Sequence, residues 1–184
     1  MQIGQVSKRL QGLSIYMVGI MGSGKSTVGK PLARLLNYTF IDTDKVIEEV
    51  TNSKIAEIFR DHGESYFRQL EQEVLKEVSQ RHSLVIATGG GIVTSIENWG
   101  VMRQGIIIWL DLSPSIIKMR LRMDAIERPL ITETNLETRL QELMKNRRPL
   151  YAEADLHILP ANDSPEKVAQ QIIEALPGII KTPL

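Results

Sequence analysis

Nine residues, Gly19-Ile-Met-Gly-Ser-Gly-Lys-Ser-Thr27, restrict this chain more than any other feature. They satisfy G-x-x-x-x-G-K-[ST], the loop in which backbone N–H groups curl around phosphate oxygens at the start of a helix. The flanks fit the same reading. An apolar run, Ile15 to Val18, precedes the loop as a strand, and Val28 to Leu36 carries apolar residues at helical spacing after it. A glycine-rich turn that merely joins strand to helix does not need the Lys-Ser-Thr that follows. Lys25 is expected to reach the β- and γ-phosphates of a nucleoside triphosphate. Ser26 is expected to present its hydroxyl to Mg²⁺, with Thr27 beside it.

Composition narrows the partners. With 22 basic and 22 acidic residues the formal net charge is zero, so no global field draws nucleic acid or an anionic membrane. Any anion site must be built locally. The chain has no cysteine, which removes disulfides, thiolate nucleophiles and cysteine zinc sites and fits a reducing compartment. The polar N-terminus lacks a signal-peptide core, and the longest apolar run, Gly105 to Leu110, is too short to span a bilayer. A cytoplasmic monomer without membrane or nucleic-acid partners is the expectation.

Periodicity predicts five strands alternating with helices. Strands fall at Ser14 to Val18, Thr39 to Ile41, Leu84 to Ala87, Ile106 to Leu110 and Leu156 to Leu159. Helices are expected from Lys25, over Lys45 to Val50, Glu64 to Arg81, Asn98 to Gln104, Pro114 to Met123, Leu136 to Arg147 and Ser164 to Ala175. Pro31 falls in early turns of the first of these. Residues 1–12 read as a loose lead-in, and His62-Gly63 as a break between a short amphipathic turn at Ile55 to Phe59 and the long helix. This alternation is that of an α/β fold, a parallel sheet covered on both faces, with its active edge at the strands' C-terminal ends. One domain spans 1–184, with a core over 14–175.

The polar motifs all fall at strand ends. Asp42 and Asp44 close the second strand, two residues apart and pointing the same way. Asp42 suits the hydration shell of Mg²⁺, and Asp44 suits an acceptor hydroxyl attacking a γ-phosphoryl. Capping of the next helix is the ordinary alternative for both. Arg68 shares a helix face with Glu71 and could clamp an anion bidentately, or be a plain surface ion pair. Phe59 and Phe67 read as core. Gly89-Gly90-Gly91 follows a buried strand, where bare backbone usually admits a ligand. Arg128-Pro129-Leu130 lies in a polar stretch, 124–135, expected to be a mobile lid that excludes water and brings charge to the transferring group. Arg147 and Arg148 precede Pro149-Leu-Tyr151. Asp111, ending an apolar strand, resembles an ATPase acid but is read as a local cap. No N-K-x-D or D-x-x-G motif of a signalling GTPase is present.

Taken in order, the loop, Asp42-Thr-Asp44, Phe67-Arg68, Gly89-Gly-Gly91, Arg128-Pro-Leu130 and Arg147-Arg-Pro-Leu-Tyr151 resemble the shikimate kinase family from about Ser14 to Ile173. Glu97-Asn-Trp-Gly100 and Gly105-Ile-Ile-Ile-Trp109 are similar to its cyanobacterial and plant-type branch. The resemblance implies a P-loop NTPase fold like that of nucleoside monophosphate kinases, a three-layer sandwich with a five-stranded parallel sheet in the order 2-3-1-4-5. It implies transfer of the γ-phosphoryl of ATP to the 3-hydroxyl of shikimate, toward chorismate and the aromatic amino acids. Met21, Gly22, Ser23, Gly24, Lys25, Ser26 and Thr27 would hold ATP, with Arg128 reaching its phosphates from the lid. Ser26, and Asp42 through water, would hold Mg²⁺. Asp44, Phe59, Phe67, Arg68, Gly89, Gly90, Gly91 and Arg147 would line the shikimate site, within a substrate-binding region at about 43–81. Lys25, Asp44 and Arg128 would be catalytic. The family's adenine-stacking arginine aligns with neither Arg120 nor Arg122, each one position off. Ile131 stands where the family usually has leucine.

Overall fold

The computed structural model describes residues 3–123, 135–160 and 163–180. Its sheet has five parallel strands in the order β2-β3-β1-β4-β5, built from β1 (Ile15–Val18), β2 (Thr39–Asp42), β3 (Leu84–Ala87), β4 (Ile106–Leu110) and β5 (Leu156–Ile158). The central strands are buried at every position, as a sheet covered on both faces requires. Alternation along each strand divides the core in two. Ile15 and Met17 face one side with Val85, Ile106 and Ile108, under α1 (Ile3–Leu10), α2 (Lys25–Leu36) and α8 (Pro165–Ala175). Tyr16, Val18, Ile86, Ile107 and Trp109 face the other, under α4 (Ile55–Val78), α5 (Ile96–Met102), α6 (Pro114–Met123) and α7 (Leu136–Tyr151). A small third cluster of Ile47, Ile58 and Phe67 joins α3 (Thr43–Thr51) to α4.

This order puts three strand ends side by side. β1 lies between β3 and β4, and the register pairs Asp42 with Ala87 and Met17 with Ala87. The segments after β1, β2 and β3 therefore emerge together. They are the phosphate loop, Asp42 to Asp44, and Gly89 to Gly91.

Several sequence expectations need correction. Residues 3–10 are a helix and not a loose lead-in. Val6 and Leu10 are buried, Ser7 Oγ donates to the Leu36 carbonyl at 2.7 Å, and Arg9 donates to the Ile180 carbonyl at 2.7 Å. Pro31 lies inside α2 beyond its first turn, so one helix hydrogen bond is forgone. The turn at Ile55 to Phe59 is helical and runs into the long helix as α4. The break expected at His62-Gly63 is borne out as a kink there, with Gly63 at φ 83° and ψ 173°. The helix expected to stop at Arg147 continues through Pro149 to Tyr151. The lid residues 124–134, Arg128-Pro129-Leu130 among them, lie outside the described residues.

The Gly63 backbone angles belong to a region that essentially only glycine occupies. No heavy atom lies within 4 Å of where a Cβ would sit, so crowding adds nothing. Gly63→Ala is expected to destabilise the fold by about 1–3 kcal/mol through backbone strain alone. Chemical denaturation reads this as a lower midpoint at unchanged slope; an unchanged midpoint contradicts the assignment.

Candidate functional site

Two cavities open at the C-terminal edge of the sheet and meet there. The first, about 450 Å³, is lined by Met21 to Val28, Thr88, Gly90, Arg120, Pro160, Asp163, Pro165 and Val168, together with Asp42 and Asp44. The second, about 550 Å³, is lined by Phe59, Phe67, Arg68, Glu71, Gly89 to Gly91 and Arg147, together with Lys45, Glu48 and Lys54. Met21, Ser26, Asp42, Asp44 and Gly90 border both. The fold thus assembles every sequence-predicted site residue within the described residues around one double cavity. Arg128 alone lies outside them.

In the first cavity, Gly22 and Gly24 take φ of 77° and 91°, which curls the loop before α2 begins at Lys25. Lys25 is buried, and its Nζ donates to the Gly19 and Ile20 carbonyls at 2.7 and 3.0 Å. Ser26 Oγ donates to Asp42 Oδ2 at 2.5 Å, while Asp42 Oδ1 accepts from the N–H groups of Asp44 and Lys45. Asp42 therefore caps α3 with one oxygen and meets the loop with the other. A hydroxyl and a carboxylate fit a hard cation that takes its remaining ligands from water and phosphate. No group of three or more His, Cys, Asp or Glu suited to a metal occurs among the described residues. Arg120 reaches the loop, donating to the Gly22 carbonyl at 3.3 Å, whereas Arg122 is exposed. Of the two arginines left open by the sequence, Arg120 is the one that lines this cavity.

The second cavity rests on a buried charge. Glu71 is 0% exposed, and its Oε2 accepts from Arg68 Nη1 at 2.8 Å. The surface-pair alternative for Arg68 fails on that burial. Glu64 holds the guanidinium from the other side at 3.0 Å, so Arg68 is aimed by two carboxylates. Burial works against its charge, but Glu71 and Glu64 outweigh it and raise its pKa. Desolvation raises Glu71 despite Arg68. Glu71 Oε1 and Asp44 Oδ1 are both shut off from solvent without a hydrogen-bond partner among the described residues.

The glycine triplet makes room for this arrangement. A Cβ on Gly89 would sit 2.2 Å from Glu71 Oε1 and 3.0 Å from Asp44 Oδ1; one on Gly91 would sit 2.2 Å from Arg68 Nη1. Arg147, buried on α7, donates to the Gly90 carbonyl at 3.2 Å, and Tyr151 Oη donates to the same oxygen at 2.5 Å. Phe59 and Phe67 pack at 4.7 Å between ring centres and line the wall, so they are core and site at once.

Asp111 borders neither cavity. It is buried and accepts from Arg148 at 2.6 Å with His157 at 3.0 Å, tying β4 to α7 and β5. The capping role expected of it is replaced by this tie. Sequence reasoning does not single out Tyr151 as a site residue, although its i+4 spacing from Arg147 is a usable signal once the helix extends past Pro149. Glu71 enters the sequence reading only as a support for Arg68.

Comparison with known proteins agrees with this geometry. The shikimate kinase family's sequence model matches residues 21–177. The shikimate kinase of Synechococcus sp. (strain CC9902) is 50% identical over 178 residues, covering 97% of this chain and 93% of the relative. That of Prochlorococcus marinus (strain MIT 9211) is 51% identical over 168 residues, covering 91% and 85%. Among solved structures, the Acinetobacter baumannii shikimate kinase in complex with shikimate superposes with a TM-score of 0.89 at 37% identity, covering 94% of this chain and 97% of that one.

Asp44 gives the site a measurable pH signature. Burial, then the charges of Glu71 and Asp42, raise its pKa from 3.8 to about 6, against the pull of Lys25 and Arg68. A carboxyl raised in this way stabilises the fold fully below about 3.8 and loses that contribution as pH rises through about 6. Asp44→Asn, neutral throughout, should match the native chain near pH 4 and exceed it by about 1–3 kcal/mol above pH 7. Denaturation in nucleotide-free, EDTA-containing buffer checks this, and a difference that ignores pH would contradict it.

Proposed function

The chain belongs to the shikimate kinase family, and we infer that it phosphorylates the 3-hydroxyl of shikimate with ATP, releasing shikimate 3-phosphate and ADP. One observation carries this reading. The cavity of the phosphate loop and the cavity of the two arginines meet at Asp44. A triphosphate in the first and a hydroxylated acid in the second would have their reacting ends at the same carboxylate.

The loop's N–H groups and the α2 N-terminus cradle the phosphates, and Lys25 turns from the Gly19 and Ile20 carbonyls toward the β- and γ-oxygens. Arg120, beside the loop, flanks the nucleotide. Ser26, and Asp42 through water, would hold Mg²⁺, which would supply positive charge against the phosphates when bound. Arg68 and Arg147 grip the acceptor's carboxylate from two sides, aided by the backbone of Gly90 and Gly91. That grip points the ring hydroxyls at Asp44. Asp44 accepts the hydrogen bond of the 3-hydroxyl and takes its proton as the new oxygen–phosphorus bond forms and the bond to the β-bridging oxygen breaks. A pKa of about 6 leaves Asp44 ionised at neutral pH and still basic enough for that transfer. Arg128 completes the charge over the transferring group from the lid.

A gluconate-type kinase would share the loop and lid without needing Arg68 and Arg147 together. Among the described residues no helix is long and apolar enough to cross a membrane. The use of ATP fits a cytoplasmic enzyme, and a monomer is the expected species in size-exclusion chromatography.

ATP consumption should depend on shikimate and be negligible with gluconate; turnover without shikimate, or equal rates with both acids, contradicts the assignment. Arg147→Ala removes charge-assisted hydrogen bonds to the acceptor and should raise the KM for shikimate about 10- to 100-fold, with the KM for ATP nearly unchanged. Lys25→Met should lower kcat by roughly 100-fold or more while the protein still unfolds cooperatively. Equal loss for both substrates in the first variant, or near-normal turnover in the second, would overturn these roles.

A further inference from the structure

Three adjacent glycines form a poor binding surface unless something outside them fixes their conformation, because each can adopt many backbone angles. Both ends of Gly89 to Gly91 are anchored. Thr88 Oγ1 donates to the Met17 carbonyl at 2.9 Å, and the Ile92 N–H donates to the Gly89 carbonyl at 3.2 Å. The middle peptide is held from α7, where Arg147 and Tyr151 both donate to the Gly90 carbonyl.

These two donors differ in kind. Arg147 also serves the acceptor's carboxylate, so its guanidinium divides its N–H donors between Gly90 and the substrate. Tyr151 has no such competing task. It is 2% exposed, and its ring stacks on Trp109 at 5.9 Å between centres. Trp109 is itself stacked on His157 at 4.1 Å and covered by Arg148 at 5.4 Å. The phenol is therefore a rigid arm. Burial pushes its pKa up to about 12, so it stays a donor at any working pH.

We propose that Tyr151 is the positioning residue of the carboxylate clamp, its hydroxyl fixing the Gly90–Gly91 peptide and freeing the Arg147 guanidinium for the substrate. In a trans peptide the Gly91 N–H points opposite to the Gly90 carbonyl, and no cis peptide occurs among the described residues. With the carbonyl turned to α7, that N–H is directed away from α7. Gly91 itself lies against Arg68 and lines the acceptor cavity. Tyr151 thus sets one donor of the clamp directly and steadies the setting of another, Arg147, one turn before it on the same face. The tie between Arg148 and Asp111 holds the helix in the register that makes both contacts possible.

The proposal rests on the carboxylate-clamp reading, and the test separates the two. Tyr151→Phe keeps the ring stack and removes only the hydroxyl. Steady-state kinetics with ATP, shikimate and the methyl ester of shikimate are measured on the native and variant enzymes, with thermal unfolding alongside. The KM for shikimate is expected to rise about five- to tenfold, the loss of one hydrogen bond at the clamp, with the KM for ATP changed less than about twofold. On the ester, which the native enzyme should already use poorly, the variant-to-native ratio is expected to approach one. Parallel rises in both KM values, or the same loss on acid and ester, would make Tyr151 a packing residue and overturn the proposal. A native enzyme that uses acid and ester equally well would remove the clamp, and the role of Tyr151 with it.

Discussion

A carboxylate with no exposure to solvent organises the acceptor half of this protein. Glu71 is buried beside the second cavity, paired on one oxygen with Arg68 and without a hydrogen-bond partner on the other among the described residues. Burying such a pair seldom stabilises a fold, because desolvation of both charges offsets their attraction. What it provides is placement. Arg68 cannot swing away without breaking the hydrogen bond that holds the buried Glu71 carboxylate, so the guanidinium is held where an incoming acid would meet it. Gly89 and Gly91 must then lack side chains, since a Cβ on either would overlap the Glu71 carboxylate or the Arg68 guanidinium. The bare backbone is a consequence of the buried pair as much as the surface proposed for the substrate.

The same crowding of charge sets the chemistry at the junction of the cavities. Asp44 faces Glu71 and Asp42 with one oxygen unpartnered among the described residues, and its ionisation is held back toward neutral pH. A carboxylate whose ionisation is opposed by burial and by neighbouring acids gains when a hydroxyl donates to it. The site is therefore less stable than it could be, in the direction that favours binding an alcohol. Asp42 stands in contrast. Both its oxygens are engaged, one by the α3 cap and one by Ser26, which suits a structural and metal-facing role better than proton transfer.

Much of this was legible in the residues. The loop, the acids at the end of β2 and the glycines after β3 each fall at a strand terminus, and strand order 2-3-1-4-5 brings those termini together. The parts that were not legible share a cause: tertiary contacts overrode a local signal. Pro149 is a reasonable place to stop a helix, yet α7 runs through it, and only that extension puts Tyr151 below Arg147. Residues 3–10 are too few to read as a helix alone; they become one by docking Val6 and Leu10 on the core. An arginine four residues from Glu64 and three from Glu71 looks like an exposed helix pair until burial of Glu71 is known. Asp111, at the end of a hydrophobic strand, had the local pattern of a catalytic acid; its partners Arg148 and His157 come from distant parts of the chain and give it a structural task instead.

Which way round the acid lies decides the roles of both arginines and of Asp44. A crystal structure with shikimate and a non-hydrolysable ATP analogue bound would show this without reference to rates. The carboxylate is predicted to contact both Arg68 and Arg147, with the 3-hydroxyl within hydrogen-bonding distance of Asp44 and facing the γ-phosphate above Lys25. A carboxylate turned toward the phosphate loop, or an acid bound away from Arg68 and Arg147, would contradict it.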